Sequence, residues 1–491
     1  MLFNSLQFLV FFPIVLILFY ALPNKLKKYW LLIASYFFYM CWNARYALLL
    51  LTSTLVTYIS GILIDKWKDD AKKKKLTVAF SFVINLLILF FFKYMNFAMD
   101  TISGIAGTAG IVLNVPEFDI ILPVGISFYT FQALSYTMDV YRGDIYAERD
   151  FITYALYVSF FPQLVAGPIE RSKNLLKQLN LFLKFDFERA VDGFMIMLWG
   201  YFLKVVMADR IAIFVDRVYG NMDKYGGCYL ILATVLFAVQ IYCDFAGYST
   251  IAVGAAKIMG INIMENFKAP YLSLTVGEFW RNWHISLTSW FKDYLYIPLG
   301  GSRKGQARKY INKMIVFLVS GLWHGADFSY VVWGGLNGFY QVVGEMLMPV
   351  RDKAVKIFGL NRESIGHKVM STFVTFALVD FAWIFFRAKD MASALKAVKS
   401  MLTVYNPWVL FDGSVYNCGL NAKEYWLMII CILVLLWADI RKKKGIVIRE
   451  VIRKQDPWCR ILLLAIFVSF ILIFGIWGTG YNDTSFIYFQ F

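Results

Sequence analysis

The stretch "GLWHGAD", residues 321–327, sets an imidazole and a carboxylate three residues apart, His324 and Asp327, inside a segment that is almost continuously apolar from Lys313 to Tyr340. Ionisable groups in sequence of membrane depth are costly; they face the protein interior or a wet cavity, and they mark function by default. A neutral imidazole can accept a proton, and one positioned to take it from an attacking hydroxyl contributes roughly 10² to 10⁴ in rate. The chain has only two other histidines. His284, in "EFWRNWHISLTSWFKDY", leaves two readings open: a ring bonded inside a packed interfacial helix, or a second site residue. His367, in "RESIGHKVM", reads as interfacial surface.

The remaining charges in apolar sequence sort in the same way. Asp244, in "FAVQIYCDFAGYSTIAVGAA", is followed by small residues that let another backbone or a ligand approach. It is either the partner of a buried donor or a site residue. Lys93, Lys204, Asp139 and Asp439 lie near the ends of apolar runs, where snorkelling accounts for them, and Asp380 is expected to pair with a nearby donor. Several chemistries are not signalled. The chain has no G-x-S-x-G elbow and no H-E-x-x-H. In "GGSRKGQ" Gln306 stands where a phosphate-binding lysine belongs, so the stretch reads as a cytoplasmic turn. Six cysteines with no C-x-x-C pair, and three histidines, point to neither a metal site nor a disulfide framework.

These groups must be positioned by membrane helices. The chain of 491 residues is 59% hydrophobic, 19% aromatic and 17% charged, far more apolar than a soluble domain. A hydrocarbon core about 30 Å thick needs roughly 20 apolar residues per helix. Leu2 to Leu22 is such a run without a charge, and it lacks the basic flank and small-residue site of a cleaved signal. Further spans are expected near residues 29–44, 46–64, 77–99, 120–141, 190–208, 228–257, 311–326, 328–348, 369–387, 424–440 and 460–479. The expectation is an all-α polytopic membrane protein of about eleven spans, one domain over residues 1–491.

Lys25, Lys27 and Lys28 after the first span and "DKWKDDAKKKK" after the third place those loops in the cytoplasm and the N-terminus outside. Carried forward, the lysine-free loop 100–119 falls outside, and "GGSRKGQARK", "RDKAVK" and "IRKKK" fall inside. The net charge of +16 is then mostly topology, and no soluble basic module suggests nucleic acid. Lys389, Lys396 and Lys399 fall outside on this count and fit it less well. Two stretches, 151–189 and 258–310, are amphipathic, aromatic and broken by Pro and Gly. Irregular backbone at membrane depth must be buried in protein or line a cavity, so a site is expected there.

The motifs "FFPQLVAGPIERSKNLLKQL", "QIYCDFAGYSTIAVGAAKIMGI", "YLSLTVGEFWRNWHISLTSWFKDYLYIPLGGSR", "GLWHGADFSYVVWGG" and "FAWIFFRAKDMASA", in this order, resemble the membrane-bound O-acyltransferase family, in its alginate O-acetylation branch. The resemblance runs from the first span to at least Ala394. It implies a funnel of helices with re-entrant segments in a bacterial cytoplasmic membrane. It implies acetyl transfer from a cytoplasmic thioester, acetyl-CoA or an acyl carrier, toward an extracytoplasmic polysaccharide, with no bound cofactor, directly or through an SGNH-like partner acetyltransferase.

The family's W-H-G histidine maps onto His324, its second histidine onto His284, and its D-F-x-G-Y-S aspartate onto Asp244. Thr250 and Asn337 stand where relatives often carry an acid and another histidine, so neither is given acid–base work. On this reading Asp244, Trp280, Trp283, Trp323, Gly325 and Asp327, with Gly321 and Ala326, wall a channel for the substrates, the donor's pantetheine arm among them. Arg281, Lys292, Arg303, Lys304 and Arg308 either hold the donor's phosphates or anchor the cytoplasmic face. A D-alanyl transferase fed by a carrier protein is the alternative; a polysaccharide transporter would need paired repeats, and none is found.

Overall fold

Backbone in hydrocarbon must satisfy its own N–H and C=O groups, which helices do within one segment. The computed structural model describes residues 1–113, 116, 118 and 121–477, and among them every regular element is helical, as expected. Part of the expected outer loop (114, 115, 117 and 119), residue 120 of the span 120–141 and residues 478 and 479 of the span 460–479 lie outside the described residues. Among the described residues six helices are long and apolar enough to cross a membrane: Ala44–Lys66, Ala71–Thr108, Phe187–Tyr219, Cys228–Ile258, Ile365–Arg387 and Pro457–Phe474. The larger expected number counts shorter apolar helices such as Leu6–Ala21, and a helical pair, described below, that carries charges at its open end. The chain forms two compact units, Met1–Met197 with Tyr248–Met264 and Leu198–Gly247 with Glu265–Phe491.

The first unit packs its helices through small and polar residues, because apolar contact alone does not favour protein over lipid. Ser53 donates to Asn85 at 2.6 Å and Tyr154 to Thr57 at 2.7 Å. Gly61 lies against Tyr136, whose ring would be 2.7 Å from an added Cβ. Lys28 pairs with Asp150 and Arg149 with Asp65, which brings the basic loops that follow the first and third helices to one end. Asp139 does not snorkel: it is 3% exposed and accepts from Ser172 at 2.5 Å. The broken stretch 151–189 lies here. Its Glu170 is buried, accepts from Asn174 at 2.8 Å and from the Met264 N–H, and is held above the usual carboxylate range by that burial.

In the second unit the helix Ala422–Lys443 fixes two opposite ends. At one, Lys442 reaches Glu265 at 3.0 Å and the Phe267 carbonyl at 2.9 Å. Burial pushes the Glu265 carboxyl up, and the lysine beside it more than offsets this, leaving it below the usual range. At the other, Asn406 accepts from the Cys228 N–H at 2.8 Å and Gly419 packs on Ile213. The basic run Arg441–Lys444 lies at the first end, the one that the positive-inside rule expects to be cytoplasmic.

Between these ends runs a hairpin of two 19-residue helices, Gln306–His324 and Phe328–Met346. At its open end Lys309 and Lys313 both pair with Glu345. Toward its turn Gly321 and Gly334 bring the backbones together: a Cβ on Gly321 would lie 2.2 Å from the Tyr330 carbonyl oxygen. Lys204 and Asp439 depart from the snorkelling expectation. Lys204, 2% exposed, is a buried ion partner, and Asp439 is buried and accepts from Tyr242 at 3.1 Å. Asp380 Oδ1, expected to be paired, has no hydrogen-bond partner among the described residues.

Candidate active site

His324 is the last residue of its helix, where the hairpin must turn, and it is 4% exposed. Three rings meet the imidazole edge to face: Trp323 at 4.8 Å, Trp333 at 5.0 Å and Phe386 at 5.4 Å between centroids. Trp333 stacks in turn on Trp383 at 5.6 Å. Such a box fixes the ring's orientation and keeps water from it.

His284 is fully buried at the break between two short helices, Val276–Asn282 and Ile285–Phe291. Its backbone is left-handed, φ 43° and ψ 54°. A residue with a Cβ pays roughly 1–3 kcal/mol for that conformation, and such strain gathers at functional sites. The ring packs on Phe245 at 4.5 Å and on Trp323 at 6.2 Å, so both histidines lean on one tryptophan.

A cavity of about 900 Å³ opens in this unit. Its wall includes Trp280, Arg281 and Lys292 from the broken stretch, Lys313, Phe317, Ser320 and Glu345 from the hairpin, and Arg351 and His367 from the segment that follows. Thr275 and Val276 place it at that same basic end, beside the segment whose Leu272 carbonyl is held by Lys443. Ser320 is one helical turn before His324. Trp280 closes the space between: its Nε1 donates to Asn337 at 3.1 Å, and its ring lies 5.7 Å from Trp333, which touches His324.

The expected residues are thus divided. Trp280, Arg281 and Lys292 line the cavity, and Trp323 touches both histidines. Trp283, 1% exposed, packs within the aromatic layer on Phe279 and Trp383. Arg303, Lys304 and Arg308 are exposed and outside the cavity wall. Asp244 is outside the cavity wall and is the partner of a buried donor: it pairs with Lys204 at 2.5 Å, and Lys204 also holds Asp209 at 2.8 Å. Asp327 caps the second hairpin helix, accepting from the Ser329 N–H at 2.7 Å. The space beside Gly325 is filled by Tyr330, 2.1 Å from where a Cβ would stand, so the hairpin glycines serve close packing. His367, read as plain surface, lines the cavity instead. Trp333 and Phe386 are not marked by the sequence, because an aromatic in an apolar span carries no signal of its own; Asn337 and Lys204, given no site role there, hold Trp280 and Asp244.

Residues 108–381 match the model of the membrane-bound O-acyltransferase family, more than half of the chain. The chain belongs to this family. The O-acyltransferase is 33% identical to a probable alginate O-acetylase of Pseudomonas putida over 506 aligned positions, with all of both chains covered. It is also 33% identical to the peptidoglycan O-acetyltransferase of Helicobacter pylori, over 78% of this chain and 75% of that one. A teichoic acid D-alanyltransferase of Bacillus subtilis is more distant, 25% identical over 56% of this enzyme and 71% of its own length. Family and helices together make the enzyme a multi-pass membrane protein.

Proposed function

We propose that this enzyme sits in the bacterial inner membrane and moves acetyl groups from a cytoplasmic thioester, acetyl-CoA or an acylated carrier, to hydroxyls of an extracytoplasmic polysaccharide. The acceptor is the polymer itself or a hydroxyl of an SGNH-like partner that relays the group. The observation that carries this reading is the basic cavity at the Lys442–Lys443 end of its unit, whose deepest hairpin residue, Ser320, lies one turn from His324.

In the proposed reaction Arg281 and Lys292 hold the donor's phosphates while the pantetheine arm points past Trp280. The acceptor oxygen bonds to the thioester carbonyl carbon as His324 removes its proton. The C–S bond then breaks, and the thiolate takes the proton back from the imidazolium, which regenerates the base. Positioning and exclusion of water account for the remaining acceleration.

The test is to incubate purified enzyme with labelled acetyl-CoA and polysaccharide, with and without the partner, and to follow ester-linked label. Transfer by the wild type and its loss in a folded His324→Ala variant are expected. Transfer at wild-type rate by His324→Ala would refute the assignment. The D-alanyltransferase likeness favours a second reading, a carrier-borne aminoacyl donor, which the same assay distinguishes by offering both donors.

A further inference from the structure

Glu345 is an anomaly in a cavity that accepts an anionic donor. Among the lining residues it is the only carboxylate, against Arg281, Lys292, Lys313 and Arg351. Both of its oxygens are taken: Oε1 by Lys309, and Oε2 by Lys313 at 2.5 Å. Those lysines are four residues apart on one helix, so their ammonium groups lie one turn apart on the same face. All three side chains are between 21% and 29% exposed, so water and solutes reach the pair. Arg351 is engaged separately, donating to the Gly344 carbonyl at 2.6 Å.

We propose that Glu345 is a displaceable counter-ion that sets the enzyme's affinity for phosphate-bearing donors and products. The inference rests on the donor reading above and deepens it. With the cavity empty, Glu345 neutralises Lys309 and Lys313 and keeps the hairpin's open end together. When a coenzyme A phosphate arrives, its oxygens compete for the two ammonium groups, and charge-assisted bonds to phosphate replace those to the carboxylate. The exchange is close to balanced, because one anion substitutes for another. It lowers affinity for phosphate-bearing donor and product alike, so that spent coenzyme A leaves, and it does not act on ligands without a phosphate. A positioning residue of this kind acts through the lysines and does not touch the reacting atoms.

The experiment is calorimetric titration of the detergent-solubilised full-length enzyme with coenzyme A and, in parallel, with pantetheine, which has no phosphate. Glu345→Gln keeps the shape and removes the charge. It is expected to tighten coenzyme A binding about three- to tenfold, the size of one modest ion-pair term, and to leave pantetheine binding unchanged. Lys309→Gln, which leaves Lys313 paired, is expected to weaken coenzyme A binding by a similar factor with no effect on pantetheine. It decides the matter if Glu345→Gln fails to fold. Unchanged or weaker coenzyme A binding in Glu345→Gln, or equal shifts for both ligands, would make the residue a structural staple and overturn the proposal. Arg281→Gln separates the two levels. If it weakens coenzyme A binding while the Glu345 and Lys309 variants do not, only this inference fails; if it has no effect, the donor reading fails with it.

Discussion

Arg281 and Lys292 face the cavity, whereas Arg303 and Lys304 stand exposed outside its wall, although all four lie within one basic, aromatic stretch of sequence. Neutralising the first pair, Arg281→Gln with Lys292→Gln, should raise the donor KM about tenfold, as the loss of roughly 1.4 kcal/mol of phosphate attraction would. The matching change at Arg303 and Lys304 should leave it within about twofold, consistent with anchoring at the cytoplasmic face. Donor-saturation kinetics on both double variants check this. Sequence could not separate the pairs, because the helix break at His284 and the π-helical turn Lys292–Tyr296 decide which way each cation points. His324 was legible for the opposite reason: an imidazole amid apolar sequence needs no geometry to stand out. Its box was not, since Trp333 and Phe386 come from other helices and nothing local marks them as its neighbours.

At the scale of elements, the buried Lys204 ties two carboxylates together, one from its own helix and one from the helix carrying Phe245, which touches His284. Removing the cation leaves like charges buried beside each other, so Lys204→Met should destabilise by about 3–5 kcal/mol. Adding Asp244→Asn to that variant should recover part of the loss, whereas a purely catalytic Asp244 would not. Thermal unfolding in detergent compares the two. The hairpin makes a second prediction. Gly321→Leu must push the Tyr330 backbone away, so abundance of folded enzyme should fall together with activity. Normal abundance with selective loss of transfer would return Gly321 to the channel wall. The helices themselves were readable because apolar runs of span length leave few alternatives. The buried ion partners were not, because a lysine near the end of a run reads equally well as a snorkelling one.

For the whole molecule, the reading requires that donor and acceptor reach His324 from opposite faces of the membrane. Cysteines introduced at Arg303, near the cavity end, and at Phe411, in the loop held to the Gly226–Cys228 turn, should react with an impermeant reagent from opposite sides of sealed vesicles. Labelling of both from one side would contradict the topology. The most direct measurement uses the same vesicles, with labelled acetyl-CoA only on the cytoplasmic side and polysaccharide acceptor, with partner if needed, only on the outer side. Wild-type enzyme should place ester-linked label on the outer acceptor, and folded His324→Ala should place none. Label appearing outside at the wild-type rate with His324→Ala would contradict the account.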